Sequence, residues 1–475
     1  MPHRLVFAIV LAVLSAPATA ATFVVQSIDD SGPGTLRQAM LDANAAPLPP
    51  HRIEFGDGFP VGGLIELFSG LPPLEVAVEI DGAGRTPGLL PFDASSSFRF
   101  FRTGSSLTLR GMALSSGRGE GDAGGGCVLG QGLNEDSVLV LDTMTFTGCT
   151  AVAYGAGEWV RGGAVAWRAN APVFIVDSVF QGNGVAALGG GEASGGAVSV
   201  NGPLQIESSY FFSNLANGDT VFGGAVQRYA QDAPVRIVDS VFVGNRAVPE
   251  PGSPFSGSGG ALSLDCETCS VQLERVFFGD NRSDNGGAAM VRGNSGIATT
   301  RVHNVGFVNN EASVNGGALL TVGADLAVRH VTFDANRAPS GSHVTAFNGN
   351  VAEWSNSVMG PVGDGSGPAC ASGSAATVAV GNVGAAGIGC DLILPGIVTV
   401  ADLRILGVDD GAAMPVVVFE RDSAAIDGAD AARCLPEDAR GNARPQDGNH
   451  DGVVACDAGA YEAPQAAIFG DGFED

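Results

Sequence analysis

A short pattern returns six times in the middle of this chain, so any fold must place each copy in an equivalent environment. Gly162-Gly163-Ala164-Val165 leads to Phe180-Gln181-Gly182-Asn183, and Gly195-Gly196-Ala197-Val198 leads to Phe211-Phe212-Ser213-Asn214. Gly223-Gly224-Ala225-Val226 leads to Phe242-Val243-Gly244-Asn245, and Gly259-Gly260-Ala261-Leu262 leads to Phe278-Gly279-Asp280-Asn281. Gly286-Gly287-Ala288-Ala289 and Gly316-Gly317-Ala318-Leu319 lead to Phe307-Val308-Asn309-Asn310 and Phe333-Asp334-Ala335-Asn336. A degenerate earlier copy runs from Gly125-Gly126-Cys127-Val128 to Phe146-Thr147-Gly148-Cys149, with Cys149 at the Asn position. The phenylalanines are spaced by 34, 31, 31, 36, 29 and 26 residues.

The segments between these marks are short and β-rich, as in Pro172-Val173-Phe174-Ile175-Val176 and Pro234-Val235-Arg236-Ile237-Val238, and lack the 3.6-residue period of a helix. Three short strands with turns use up about 25–35 residues, which suits one coil of a parallel β-helix. Successive coils then lie about 4.8 Å apart and equivalent side chains stack. Stacked Phe fills the interior, and Asn183, Asn214, Asn245, Asn281, Asn310 and Asn336 are expected to pass amide hydrogen bonds along a turn as a ladder. Gly-Gly supplies positive φ at a tight corner. The 71 glycines show no three-residue period, which excludes collagen. With 45% hydrophobic and 16% charged residues the chain is not disordered.

The charge balance narrows the partners. All 24 cationic residues are Arg, against 50 Asp and Glu, for a net charge of −26. Nucleic acid and anionic membrane surfaces are therefore poor partners, which leaves cations, neutral glycans and proteins. The first 20 residues read as a signal peptide: His3 and Arg4, an apolar run from Leu5 to Leu14, and the small-x-small site Ala18-Thr19-Ala20. No later segment is long enough to span a membrane as a helix.

Export suits the eight cysteines, Cys127, Cys149, Cys266, Cys269, Cys370, Cys390, Cys434 and Cys456. Of the many pairings available, bonds between sequence neighbours are the simplest. Cys266-Glu267-Thr268-Cys269 also has the form of a redox CxxC, though without a thioredoxin-like βαβ context.

The paired pattern Gly-Gly-Ala-[Val/Leu/Ile] and Phe-x-x-Asn resembles the repeat of the polymorphic outer-membrane proteins and related bacterial right-handed β-helix proteins, over roughly residues 110–360. That resemblance implies a right-handed helix, an adhesin-like role and a place outside a Gram-negative cell. Only about 100 residues follow the repeats, too few and too rich in Gly and Asp for a transporter barrel. Before the repeats, Ser31-Gly32-Pro33-Gly34-Thr35-Leu36-Arg37-Gln38-Ala39-Met40 is similar to the CSLREA-like N-terminal segment of secreted β-helix proteins. Thr35 and Gln38 are spaced as a capping box, and Leu36, Ala39, Met40 and Ala43 share one face of a short helix that covers the open end. After the repeats, Asp438-Ala439-Arg440-Gly441-Asn442-Ala443-Arg444-Pro445 and Asp457-Ala458-Gly459-Ala460-Tyr461-Glu462 resemble the choice-of-anchor module. The expected organisation is a signal peptide (1–20), an N-terminal cap with the first coils (21–110), β-helix repeats (111–395), a disulfide-bearing C-terminal capping module (396–464) and a tail (465–475).

Two regions are candidate sites. The stretch from Asn (or Cys149) to the next Gly-Gly takes 13, 12, 9, 14, 5 and 6 residues, so insertions concentrate at one corner of the first coils. They form a ledge carrying Tyr154, Glu158, Trp159, Glu192, Asp219, Phe222, Glu250 and Phe255, suited to a glycan or a protein surface, or to shielding the stack. Asp447-Gly448-Asn449-His450-Asp451-Gly452 opens like a calcium loop, with Asp457 in place of the usual last ligand; an Asx-rich turn explains it equally. The rival to a binding role is a polysaccharide lyase or glycoside hydrolase working in a lateral groove. It would need an Arg base or paired carboxylates, and the sequence names no catalytic residue for it.

Overall fold

The computed structural model describes residues 20–464, apart from 94–96, 122–123, 230–231 and 413. The tail 465–475 and the expected signal segment, Ala20 excepted, lie outside the described residues. The described chain is a parallel β-helix of about eleven coils, built from sheets of 23, 11 and 10 strands and one two-stranded hairpin.

One coil shows how the repeat makes its corners. Val173–Val176 and Val179–Gln181 lie in the 23-stranded sheet, Gly184–Ala187 and Glu192–Ser194 in the 11-stranded sheet, and Val198–Val200 in the ten-stranded sheet. The corners are taken in the left-handed region by Asp177 (φ 47°), Gly182 (φ 61°) and Gly195 (φ 69°). The two glycines of Gly-Gly do different jobs. Gly195 supplies the positive φ, whereas a Cβ on Gly196 would overlap the carbonyl oxygen of Gly224 in the next coil. Ala197, next in line, is fully buried.

Inside, Phe146, Phe180, Phe211, Phe242, Phe278, Phe307 and Phe333 form one column. Neighbouring ring centroids are 4.7 Å apart at Phe180–Phe211 and 5.2 Å apart at Phe242–Phe278. Every ring in the column is fully buried, worth about 1.5–3 kcal/mol each relative to exposure. His343 and Trp354 end the column beyond Phe333. The asparagines form the expected second column. Asn214 Nδ2 donates to Asn245 Oδ1 at 2.9 Å and to the carbonyl of Phe180 at 3.0 Å; Asn245, Asn281 and Asn310 repeat this pair of bonds, and Asn336, the last rung, bonds the carbonyl of Phe307 and His343 Nδ1. Cys149 ends the ladder, its backbone N–H donating to Asn183 Oδ1.

The N-terminal end is covered by helix α1 (Leu36–Ala45), which buries Leu36, Ala39, Met40 and Ala43 against the strands Thr22–Val25 and His51–Phe55. Thr35 caps it by accepting from the Gln38 N–H. The reciprocal half of the capping box is missing, because the Gln38 side chain turns to Asp42 instead. All four disulfides join sequence neighbours: Cys127–Cys149, Cys266–Cys269, Cys370–Cys390 and Cys434–Cys456.

At the far end, Ile388, Cys390, Ile393 and Leu394 close the main core. The chain after Val400 does more than cap. The hairpin Ile405–Asp409 with Val416–Phe419 and the segment after it run back along the outside of the 23-stranded sheet as a strap. Val416, Met414, Ala439 and Ala460 bury Val241 and Phe277 there. Corner residues of three successive coils hold the strap: Asn304 donates to the carbonyl of Glu437, His330 Nε2 accepts from Leu435 N–H, and Asn356 exchanges bonds with Asp430. The strap has its own polar core, in which Arg444 bonds Glu462 at 3.0 Å and Asp438 accepts backbone N–H groups of Arg440, Asn442 and Glu462. This explains why its motif is rich in Asp, Arg and Glu: the segment has few apolar side chains and organises itself around buried, hydrogen-bonded charges.

Candidate functional site: a stacked wing

The insertions in the first coils are not loose loops. In four successive coils the chain runs outward through Thr150–Ala153, Gly184–Ala187, Leu215–Asn217 and Arg246–Ala247, and returns through Val160–Arg161, Glu192–Ser194, Thr220–Phe222 and Gly257–Ser258. From Arg282–Asn285 onward one strand replaces both arms. The result is a wing with a small core of its own, made from Ala151, Ala153, Val160, Val185, Ala187, Ala193, Ala216, Val221 and Ala247. Alanine and valine dominate because the two arms are separated by only a thin layer of side chains.

Even the tips are stacked. Gly157 N–H donates to Gly190 O, Asp219 N–H to Gly191 O and Glu250 N–H to Gly218 O, at 2.8, 3.0 and 2.9 Å. Glu158 fastens its own loop by accepting from Gly155 N–H at 2.8 Å, and Ser253 Oγ donates to the Asp219 carbonyl. Loops held in this way lose little freedom on binding.

The predicted residues fall into two groups. Tyr154, Trp159 and Phe255 are 56%, 55% and 58% exposed along the rim, with Leu188 exposed between them. Arg118 reaches Tyr154 Oη at 2.7 Å. Glu158, Asp219 and Glu250 are half-buried and serve the tips. Glu192 and Phe222 belong to the base of the wing, where Phe222 pairs with Ser194. There the Tyr229 hydroxyl donates to Glu192 and contacts Ser194 Oγ at 2.5 Å. Arg161 lies over the Tyr229 ring at 4.1 Å and the Trp159 ring at 5.4 Å, so a cation–π stack links base to rim. Burial and the adjacent Glu192 carboxylate push the Tyr229 hydroxyl upward, keeping it a donor. Arg161 and Tyr229 escaped the sequence reading because Arg161 is the last residue of its insertion, just before Gly162, and Tyr229 lies outside the insertions, after Gly223-Gly224-Ala225-Val226.

The residues of the calcium-like turn are engaged with one another. Asp447 accepts from the N–H groups of Asp451 and Gly452, Asn449 Oδ1 from Asp451 N–H, and Asp451 from Val453 N–H. Asp457 lies beneath the turn and accepts from Asp427 and Ala463 N–H; burial and the neighbouring Glu462 push it up to about 8. Among the described residues no three His, Cys, Asp or Glu side chains are grouped to hold a metal ion, and no helix is long and apolar enough to cross a membrane.

No protein-family profile and no curated protein sequence matches this chain.

Proposed function

We propose that this chain is a secreted or surface-displayed β-helix that binds glycan or protein ligands in an adhesin-like manner through the rim of the wing. The observation that carries the reading is the rim itself: Tyr154, Trp159 and Phe255 exposed on tips that are fixed by backbone hydrogen bonds. Exposed aromatic faces beside Arg118 and Glu158 offer stacking and polar contacts at once. The rigid support means that binding orders little of the chain.

The rival reading, a polysaccharide-degrading enzyme in a lateral groove, wants a raised carboxyl facing that groove. Burial raises Asp334 to about 6 and Asp457 to about 8. Neither is among the side chains lining the cleft of about 800 Å³ beside the strap, which supports binding over turnover there. The test is retention of the whole chain on immobilised neutral, acidic and amino-sugar glycans and on matrix proteins. At least one surface retains the wild type and fails to retain the triple variant Tyr154→Ala, Trp159→Ala, Phe255→Ala. Equal retention of both chains would sink the wing as the binding face.

A further inference from the structure

We propose that the cleft between the strap and the outer face of the 23-stranded sheet is a second ligand site, shaped for a neutral oligosaccharide. It is independent of the wing. Its volume is about 800 Å³, within the range of small-ligand sites. One wall comes from three coils, through Tyr210, Asp239 and Arg275; the other comes from the strap, through Glu437, Arg440 and Tyr461. Adjoining the cleft is an apolar trough of about 490 Å³ that shares Tyr210 and Ala412 with it and is lined by Phe212, Val243 and Phe277. Two adjoining volumes suit a chain of several units rather than one small molecule.

The polar groups are held in place before any ligand arrives. Arg275 grips both oxygens of Asp239, at 2.6 and 2.9 Å, and reaches Glu274 at 2.9 Å. Arg440 holds Asp409 Oδ2 and the carbonyls of Asp409 and Met414, at 2.7, 2.7 and 2.9 Å. Its guanidinium lies 6.0 Å from the centre of the Tyr461 ring. Each pair sets N–H donors beside carboxylate acceptors, and a carboxylate that accepts two bonds keeps lone pairs for more. Neighbouring hydroxyls on a sugar both donate and accept, so they fit such pairs, while the tyrosine rings offer faces for the apolar side of a sugar ring. Charge selects further. The cleft itself carries two carboxylates, Asp239 and Glu437, and two guanidiniums, Arg275 and Arg440; Glu274 and Asp409 engage those arginines from outside it, in a chain of net charge −26. A uronic-acid polymer is repelled by that field, and an uncharged glycan is not.

Calorimetric titration of the whole chain with gluco-, manno- and galacto-hexaoses, and with a hexuronic-acid oligomer, tests this. Hydrogen exchange with each probe locates the bound ligand. One neutral hexaose is expected to bind and to protect 208–212 and 436–446. Tyr461→Ala is expected to weaken it about tenfold. Because Tyr461 is also half-buried, Glu437→Gln is the second variant, expected to weaken binding several-fold without loss of shape. Leu392→Ala, fully exposed at the far end of the stack, leaves the affinity unchanged. Failure of every neutral hexaose to bind, tighter binding of the uronic-acid oligomer, or protection confined to 154–160 would overturn the proposal; the last result would uphold the wing. Protection confined to the cleft, with every wing probe negative, upholds it and removes the wing.

Discussion

The side chain of Asn245 is bonded on both sides: its Nδ2 donates to Asn281 Oδ1 at 3.0 Å, while its Oδ1 accepts from Asn214 Nδ2 at 2.9 Å and from Asn214 N–H at 3.1 Å. A fourth bond runs from Nδ2 to the carbonyl of Phe211. Asn245→Ala therefore strands buried donors on Asn214 and a carbonyl on Phe211. Each stranded group costs about 1–3 kcal/mol. The expected loss is about 3 kcal/mol, seen as a lower urea midpoint, with Asn245→Ser falling between the two. A change below about 0.5 kcal/mol would contradict the ladder.

The Phe column makes a separate prediction. Phe242→Ala leaves a gap between Phe211 and Phe278, and truncation of a buried Phe costs about 3–5 kcal/mol. Phe242→Leu retains volume and costs less. Phe212→Ala, one residue from the column and facing outward into the strap contact, is expected to cost less than Phe242→Ala and to loosen residues 405–420 first. Hydrogen exchange distinguishes the two.

Acid should release the strap. His330 is fully buried, and its Nε2 accepts from Leu435 N–H and from Asn356 Nδ2. Burial pushes the imidazole down to about 2, with Arg444 adding repulsion. The unfolded imidazole titrates near 6.5. Between those values the unfolded state binds more protons, so stability rises with pH. The contribution is complete above about 6.5 and falls by about 1.4 kcal/mol for each unit of acidification, or about 2 kcal/mol by pH 5. His330→Gln keeps an acceptor and does not titrate, so its stability should depend less on pH across this window. The raised Asp334 and Asp457 act in the opposite sense and are common to both chains. Parallel pH profiles for wild type and variant would refute the assignment.

The degenerate repeat offers a constructive test. Cys149 stands where an Asn rung belongs and bonds Cys127 instead. Removing the disulfide with Cys127→Ala and Cys149→Ala is expected to cost about 3 kcal/mol from loop entropy. Asn in place of Cys149, with Cys127→Ala, should recover about 1 kcal/mol by extending the ladder. Thermal melts of the three chains read the order.

The parts of this fold that repeat were legible in the sequence, because stacking forces equivalent positions to hold equivalent residues. Phe180, Asn183 and Gly195 identified a column, a ladder and a corner, and uneven spacing located the wing. The strap was not legible as a lateral element. Its contacts, such as Asn304 to Glu437, join segments 133 residues apart and occur once each, so no period announces them. One signal was present. Residues beside the column Phe point outward, and Tyr210, Phe212, Val243, Phe277 and Val308 are apolar where solvent would favour polar side chains. An outer face that is apolar over several coils calls for a cover. Arg161 and Tyr229 left no such mark, since their pairing depends on how the wing meets the ten-stranded sheet.

The most direct measurement is a glycan and polysaccharide panel read at once for retention and for chain shortening, with the wild type beside the Tyr154→Ala, Trp159→Ala, Phe255→Ala chain. Adhesin-like binding through the wing predicts at least one surface on which the wild type is retained and the variant loses at least tenfold, an unchanged melt, and ligands that keep their length. Shortened polysaccharide, or retention of the variant equal to the wild type on every surface, would contradict it.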